Sequence, residues 1–212
     1  MDVARFKKLP IVGILRLSRT APVDELVDAA VSSGLETIEI AMNSPNAESL
    51  IRRAVSASRG RLAVGAGTVM DEKILKSALS AGATFIVLPV LVKEVVGSCV
   101  AKKIPVFPGA FTPGEIHAAW NAGATMVKVF PSGVLGPSYI REIKAPFADI
   151  ELMACGGVTP DNIGEYFSSG ASAVAFGASV FRGEWLEKKD FASVERAIKA
   201  LVDRSRAAYI SK

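Results

Sequence analysis

The chain reads Ile11-Val12-Gly13-Ile14-Leu15 and then breaks on Arg16, a short apolar run closed by a charge. Phe85-Ile86-Val87-Leu88 and Ala173-Val174-Ala175-Phe176 have the same unbroken character. A strand buried on one face alternates apolar and polar residues, whereas an unbroken run marks a parallel strand covered on both faces. Such runs begin near Pro10, Glu36, Leu62, Thr84, Ile104, Thr125, Ile150 and Ser172, and an amphipathic, helix-compatible stretch follows each one. Spacing of roughly 20 to 26 residues suits a compact strand–helix unit with short loops. Eight units predict an α/β fold, a (β/α)8 TIM barrel, spanning residues 1–212 as one domain. The alternative is an open doubly wound sheet. Regular repetition without a dinucleotide-type glycine fingerprint favours closure.

The punctuation agrees with this reading. Asp71-Glu72, Thr112-Pro113 and Thr159-Pro160-Asp161 have the chemistry of helix N-termini, where a short oxygen-bearing side chain takes an orphan backbone N–H and proline loses nothing by lacking one. Gly34, Gly82, Gly123 and Gly170 follow Ser or Ala at the expected helix ends, positions that a left-handed C-terminal cap gives to glycine. Met1 to Leu9 is expected to form a short preceding helix, and Phe191 to Ala208 the long final one.

At 212 residues with half of them hydrophobic, the chain can bury a sizeable core. The stretch from Met1 to Pro10 has no apolar segment of the kind a secretory leader uses, and no apolar run reaches membrane-spanning length. Cys99 and Cys155 stand far apart, with a single histidine, His117, in the chain. Neither a disulfide framework nor a metal site is therefore expected, and a reducing cytoplasm fits. The net charge of +4 comes from scattered Lys and Arg and forms no basic stripe, which argues against nucleic-acid binding.

Barrel sites lie at the carboxyl ends of the strands, so charges that interrupt apolar runs there are the candidates. Alternation places Val12, Ile14 and Arg16 on one face of the first strand, Thr37, Glu39 and Ala41 on one face of the second, and Met126, Lys128 and Phe130 on one face of the sixth. If those faces point inward, three charges converge. Lys128 stands in Met-Val-Lys-Val-Phe-Pro, and apolar surroundings disfavour an ammonium relative to the amine, the form that attacks a ketone and yields an iminium. Glu39 is the natural proton carrier beside it. The plainer reading of both is a structural ion pair. Gly156-Gly157 and Gly177-Ala178-Ser179 follow the seventh and eighth strands, where barrels commonly seat phosphate on backbone N–H groups. Thr68, in Gly65-Ala66-Gly67-Thr68, offers a hydroxyl to a carboxylate. His117 is expected at a helix surface and Cys155 as a small buried side chain.

These segments resemble the 2-keto-3-deoxy-6-phosphogluconate and 6-phosphogalactonate aldolases nearly end to end. The likeness rests on Ile14-Leu15-Arg16, Ile38-Glu39-Ile40, Gly65-Ala66-Gly67-Thr68-Val69, Phe107-Pro108-Gly109, Val127-Lys128-Val129-Phe130-Pro131 and Gly156-Gly157-Val158, in that order. The resemblance implies Lys128 as the Schiff-base residue, Glu39 as general acid and base, Arg16 and Thr68 on the pyruvate carboxylate, and Pro89 lining the site. It places the phosphate at Gly156, Gly157, Gly177 and Ser179. It also implies a homotrimer with no metal or organic cofactor. Asn43-Ser44-Pro45 and Gly136-Pro137-Ser138-Tyr139-Ile140 look like the galactonate type, while Cys155 stands where gluconate-type enzymes carry Thr. Two other functions remain open on the residues alone: a sugar-phosphate isomerase or epimerase, and a phosphosugar-binding protein without catalysis.

Overall fold

In the computed structural model, residues 1–18 and 21–210 are described. Nine parallel strand segments form one sheet: β1 (Ile11–Leu15), β2 (Thr37–Ala41), β3 (Ala63–Gly67), β4 (Ile86–Val87), β5 (Val106–Phe107), β6 (Gly109–Ala110), β7 (Val127–Val129), β8 (Leu152–Cys155) and β9 (Ala173–Phe176). Their lateral order is β5-β4-β3-β2-β1-β9-β8-β7-β6. The two ends of that order, β5 and β6, are halves of one strand separated by Pro108 alone. The eight-stranded barrel therefore closes through its fifth strand. Proline has no N–H to give to a ladder and interrupts the pairing at that point, but its carbonyl still accepts the Lys128 N–H at 2.9 Å.

Helices α2 (Val23–Ser32), α3 (Ala47–Ser58), α4 (Glu72–Ser80), α5 (Lys93–Ala101), α6 (Pro113–Asn121), α7 (Gly136–Lys144), α8 (Ile163–Ser168) and α10 (Phe191–Ile210) follow the strands, and α10 packs against both α2 and α8 to complete the outer ring. A short α9 (Gly183–Glu187) precedes it. The expected caps at Asp71 and Thr112 are present, the latter as a reciprocal capping box with Glu115. The third is displaced. Residues 160–162 form a turn, in which Asn162 binds the Thr159 N–H and the Gly157 carbonyl, and α8 starts only at Ile163. Gly34, Gly82, Gly123 and Gly170 all have positive φ.

The barrel interior is filled from below. α1 (Val3–Phe6) is shorter than the predicted helix but delivers Phe6 into the lumen, edge-on to Phe107 at 6.1 Å between ring centres. Phe107 in turn meets Phe85 at 5.8 Å, and Val12, Val87, Met126 and Met153 complete this inner cluster. Large side chains need small ones opposite: a Cβ on Gly65 would lie 2.4 Å from the Phe85 ring. With the amino-terminal end plugged, only the carboxyl end of the barrel can admit a ligand. No helix among the described residues is long and apolar enough to cross a membrane.

Candidate active site

Lys128 sits in the middle of β7 and Glu39 in the middle of β2, and both point into the lumen above the aromatic plug. Each is almost wholly buried, Lys128 at 7% exposure and Glu39 at 2%. Their facing charges do not form a direct ion pair within 4.0 Å among the described residues, and Glu39 Oε2 is buried with no hydrogen-bond partner. The structural salt bridge that the sequence left open is thus absent. A buried carboxylate oxygen without a partner is the opposite of a satisfied structural pair, since such a group carries its full desolvation penalty.

Burial pushes the Glu39 carboxyl above its ordinary range, and the attraction of Lys128 and then of Arg16 only partly offsets this. The same field shows that all three charges converge. Arg16 itself is exposed at the mouth, immediately beyond β1. The next residue, Leu17, donates its N–H to Ser44 Oγ at 3.1 Å, so the Asn43-Ser44-Pro45 turn fixes the strand end from which Arg16 projects. Lys128 Nζ lies 5.2 Å from the centre of the Phe130 ring.

Cys155 is also here. The sequence suggested only a small buried residue, but its thiol lies in the field of Lys128 and Glu39, and burial lifts its pKa to about 11, leaving it protonated near neutrality. Nothing in a local pattern signals this proximity. It arises because β7 and β8 are neighbours in parallel register and both side chains face inward.

Thr68, half-buried just beyond β3, has φ of +59°. A left-handed conformation in a β-branched residue costs on the order of 1–3 kcal/mol and is maintained only where the surroundings dictate it. Pro89, likewise half-buried, lies beyond β4, and its carbonyl oxygen would be 2.0 Å from a Cβ on Gly109. That contact explains why glycine must follow Pro108.

At the other side of the mouth the glycine loops meet. Gly156 and Gly157 have φ of +97° and +74°, and a Cβ on Gly157 would lie 2.9 Å from Gly133 Cα. Ser132, fully buried, donates to the Gly156 carbonyl at 3.0 Å and braces the turn from below. Ser179 Oγ donates to the Val158 carbonyl at 2.8 Å, tying the loop after β9 to the loop after β8. Gly177 packs against Ile14 of β1. The hydroxyl proton of Ser179 is already engaged, so the loops can offer an anion their backbone N–H groups rather than this proton. His117 lies outside the site, exposed on α6 and stacked on Phe147.

A closed barrel that buries an amine and a carboxylate below a rim carrying a cation and two glycine loops brings together the groups that imine chemistry on a keto acid requires. The comparisons narrow the class. The family model for KDPG and KHG aldolase matches residues 3–197, and the chain belongs to that family. The 2-dehydro-3-deoxy-6-phosphogalactonate aldolase of Escherichia coli (strain K12) is 34% identical over 85% of this chain and 89% of its own length. The 2-dehydro-3-deoxy-phosphogluconate aldolase of Pseudomonas aeruginosa is 30% identical over 92% of this chain and 88% of its own. A solved structure titled "Native KDPGal structure" superposes with a TM-score of 0.86 at 32% identity, covering 96% of this chain and 97% of that one.

Proposed function

We propose that this chain cleaves a 2-keto-3-deoxy-6-phospho sugar acid to pyruvate and glyceraldehyde 3-phosphate through a Schiff base on Lys128, with the galactonate epimer as its better substrate. The observation that carries the reading is the buried amine of Lys128 facing a buried Glu39 carboxylate whose Oε2 has no partner. The amine adds to the C2 ketone, and Glu39 supplies the proton with which the carbinolamine loses water to give the iminium. The Glu39 carboxylate then takes the C4 hydroxyl proton, the C3–C4 bond breaks, and its electron pair moves into the iminium as an enamine. The aldehyde leaves, C3 of the enamine is protonated, and water hydrolyses the resulting iminium to release pyruvate and regenerate the amine.

In this reading Arg16 and Thr68 bind the pyruvate carboxylate and Pro89 lines the pocket, while Gly156, Gly157, Gly177 and Ser179 hold the phosphate by their backbone N–H groups. The galactonate preference is supported by the likeness of Asn43-Ser44-Pro45 to the galactonate-type segment and by the phosphogalactonate aldolase among the relatives. Turnover of both C4 epimers by wild type and by Lys128→Met tests the proposal. Wild type should favour the galactonate epimer, and the folded variant should cleave neither. Cleavage retained by the folded variant would remove Lys128 as the nucleophile, and turnover that releases no pyruvate would favour proton-transfer isomerisation, which needs no amine. The resemblance further supports a homotrimer, which light scattering would contradict by returning the mass of a single chain.

A further inference from the structure

Gly67 closes β3 opposite Ala41, the residue two beyond Glu39 on β2. It lies in extended conformation, which alanine adopts freely. Yet a Cβ there would lie 2.2 Å from Glu39 Oε1 and 2.9 Å from its carboxyl carbon. The carboxylate therefore rests in the space that any other side chain at position 67 would fill. The backbone beneath it cannot withdraw, because the Gly67 carbonyl accepts the Met42 N–H at 2.7 Å and Val69 N–H is held by the Val87 carbonyl at 3.3 Å. Oε1 is thus seated over the bare Cα of Gly67, and Oε2 lies sealed from solvent with no hydrogen-bond partner.

We propose that Gly67 is a positioning residue, the bare seat that lets the Glu39 carboxylate lie where it exchanges protons with substrate. The inference rests on the acid–base reading of Glu39 given above. A methyl group at position 67 would have to displace the carboxylate by more than an ångström to reach ordinary contact, and a misplacement of about that size lowers a rate roughly a hundredfold.

The experiment compares Gly67→Ala, Glu39→Gln, Glu39→Asp and Glu39→Asp/Gly67→Ala by kcat and KM for cleavage, with circular dichroism as the check on folding. Glu39→Gln should lower kcat by about 10²- to 10⁴-fold. Gly67→Ala should lower kcat about a hundredfold while KM stays near the wild-type value, since the carboxylate and phosphate subsites are untouched. Aspartate is one methylene shorter and draws its carboxyl carbon back to about the place of the Glu39 Cγ, 3.6 Å from the added methyl, so Gly67→Ala introduced on top of Glu39→Asp should lower kcat no further. If Gly67→Ala does not fold alone, the two Glu39→Asp proteins still decide: equal kcat supports the seat, and a further fall overturns it. Wild-type kcat in folded Gly67→Ala alongside a disabled Glu39→Gln removes the positioning role alone. Wild-type kcat in Glu39→Gln removes the acid–base reading and this inference with it.

Discussion

Glu39 is buried where the protein disfavours its charge. Because burial outweighs the pull of Lys128 and Arg16, the folded chain keeps a proton on this carboxyl above its ordinary value of 4.5. The sign of the stability effect follows: the folded state binds the proton more tightly than the unfolded state, so stability is lost as pH rises from that ordinary value through the raised one. Glu39→Gln has no proton to lose. Its melting temperature relative to wild type should therefore climb as pH is raised from about 4 to neutrality, and a difference that stays constant over that range would contradict the raised carboxyl. Lys128 and Glu39 were legible in the sequence because a charge inside an apolar strand is conspicuous on its own. Gly67 and Cys155 were not, since a glycine in a Gly-Ala-Gly-Thr segment and a lone cysteine look ordinary until the neighbouring strand brings Glu39 and Lys128 close to them. The left-handed Thr68 was equally silent, because no residue type announces a conformation that its surroundings impose.

At the level of elements, all eight expected strands are present with starts within two residues of their apolar runs. Unbroken Val, Ile, Leu and Ala runs suit strands covered by helices outside and packed side chains inside, so burial and pattern give the same answer. The misreadings have specific causes. Pro108 lies inside the fifth run and splits it into β5 and β6, because the missing N–H breaks the ladder while the chain keeps its course. Thr159-Pro160 has the composition of a helix start, but Asn162 captures the Thr159 N–H and makes a separate turn first. That turn keeps the Gly156-Gly157 loop close to the loop after β9, where Ser179 can reach the Val158 carbonyl. The loop geometry proposed for phosphate is thus a product of tertiary contacts, and the glycines alone only permitted it.

For the whole molecule, closure was the step that periodicity could not supply, since a doubly wound sheet would repeat in the same way. It is achieved by β1 pairing with both β2 and β9, and by one proline-broken strand joining β4 to β7. Closure brings β2 and β7, nearly ninety residues apart in sequence, to face one another across a common lumen. The Phe6 plug then leaves the amine and carboxylate open to one end only. The central claim is that this amine is the nucleophile. Incubation with pyruvate followed by borohydride, with peptide mass analysis of the folded protein, tests it most directly. A pyruvate-derived adduct on the peptide carrying Lys128, and on no other lysine, is the predicted result; no adduct, or an adduct on a different lysine, would contradict it.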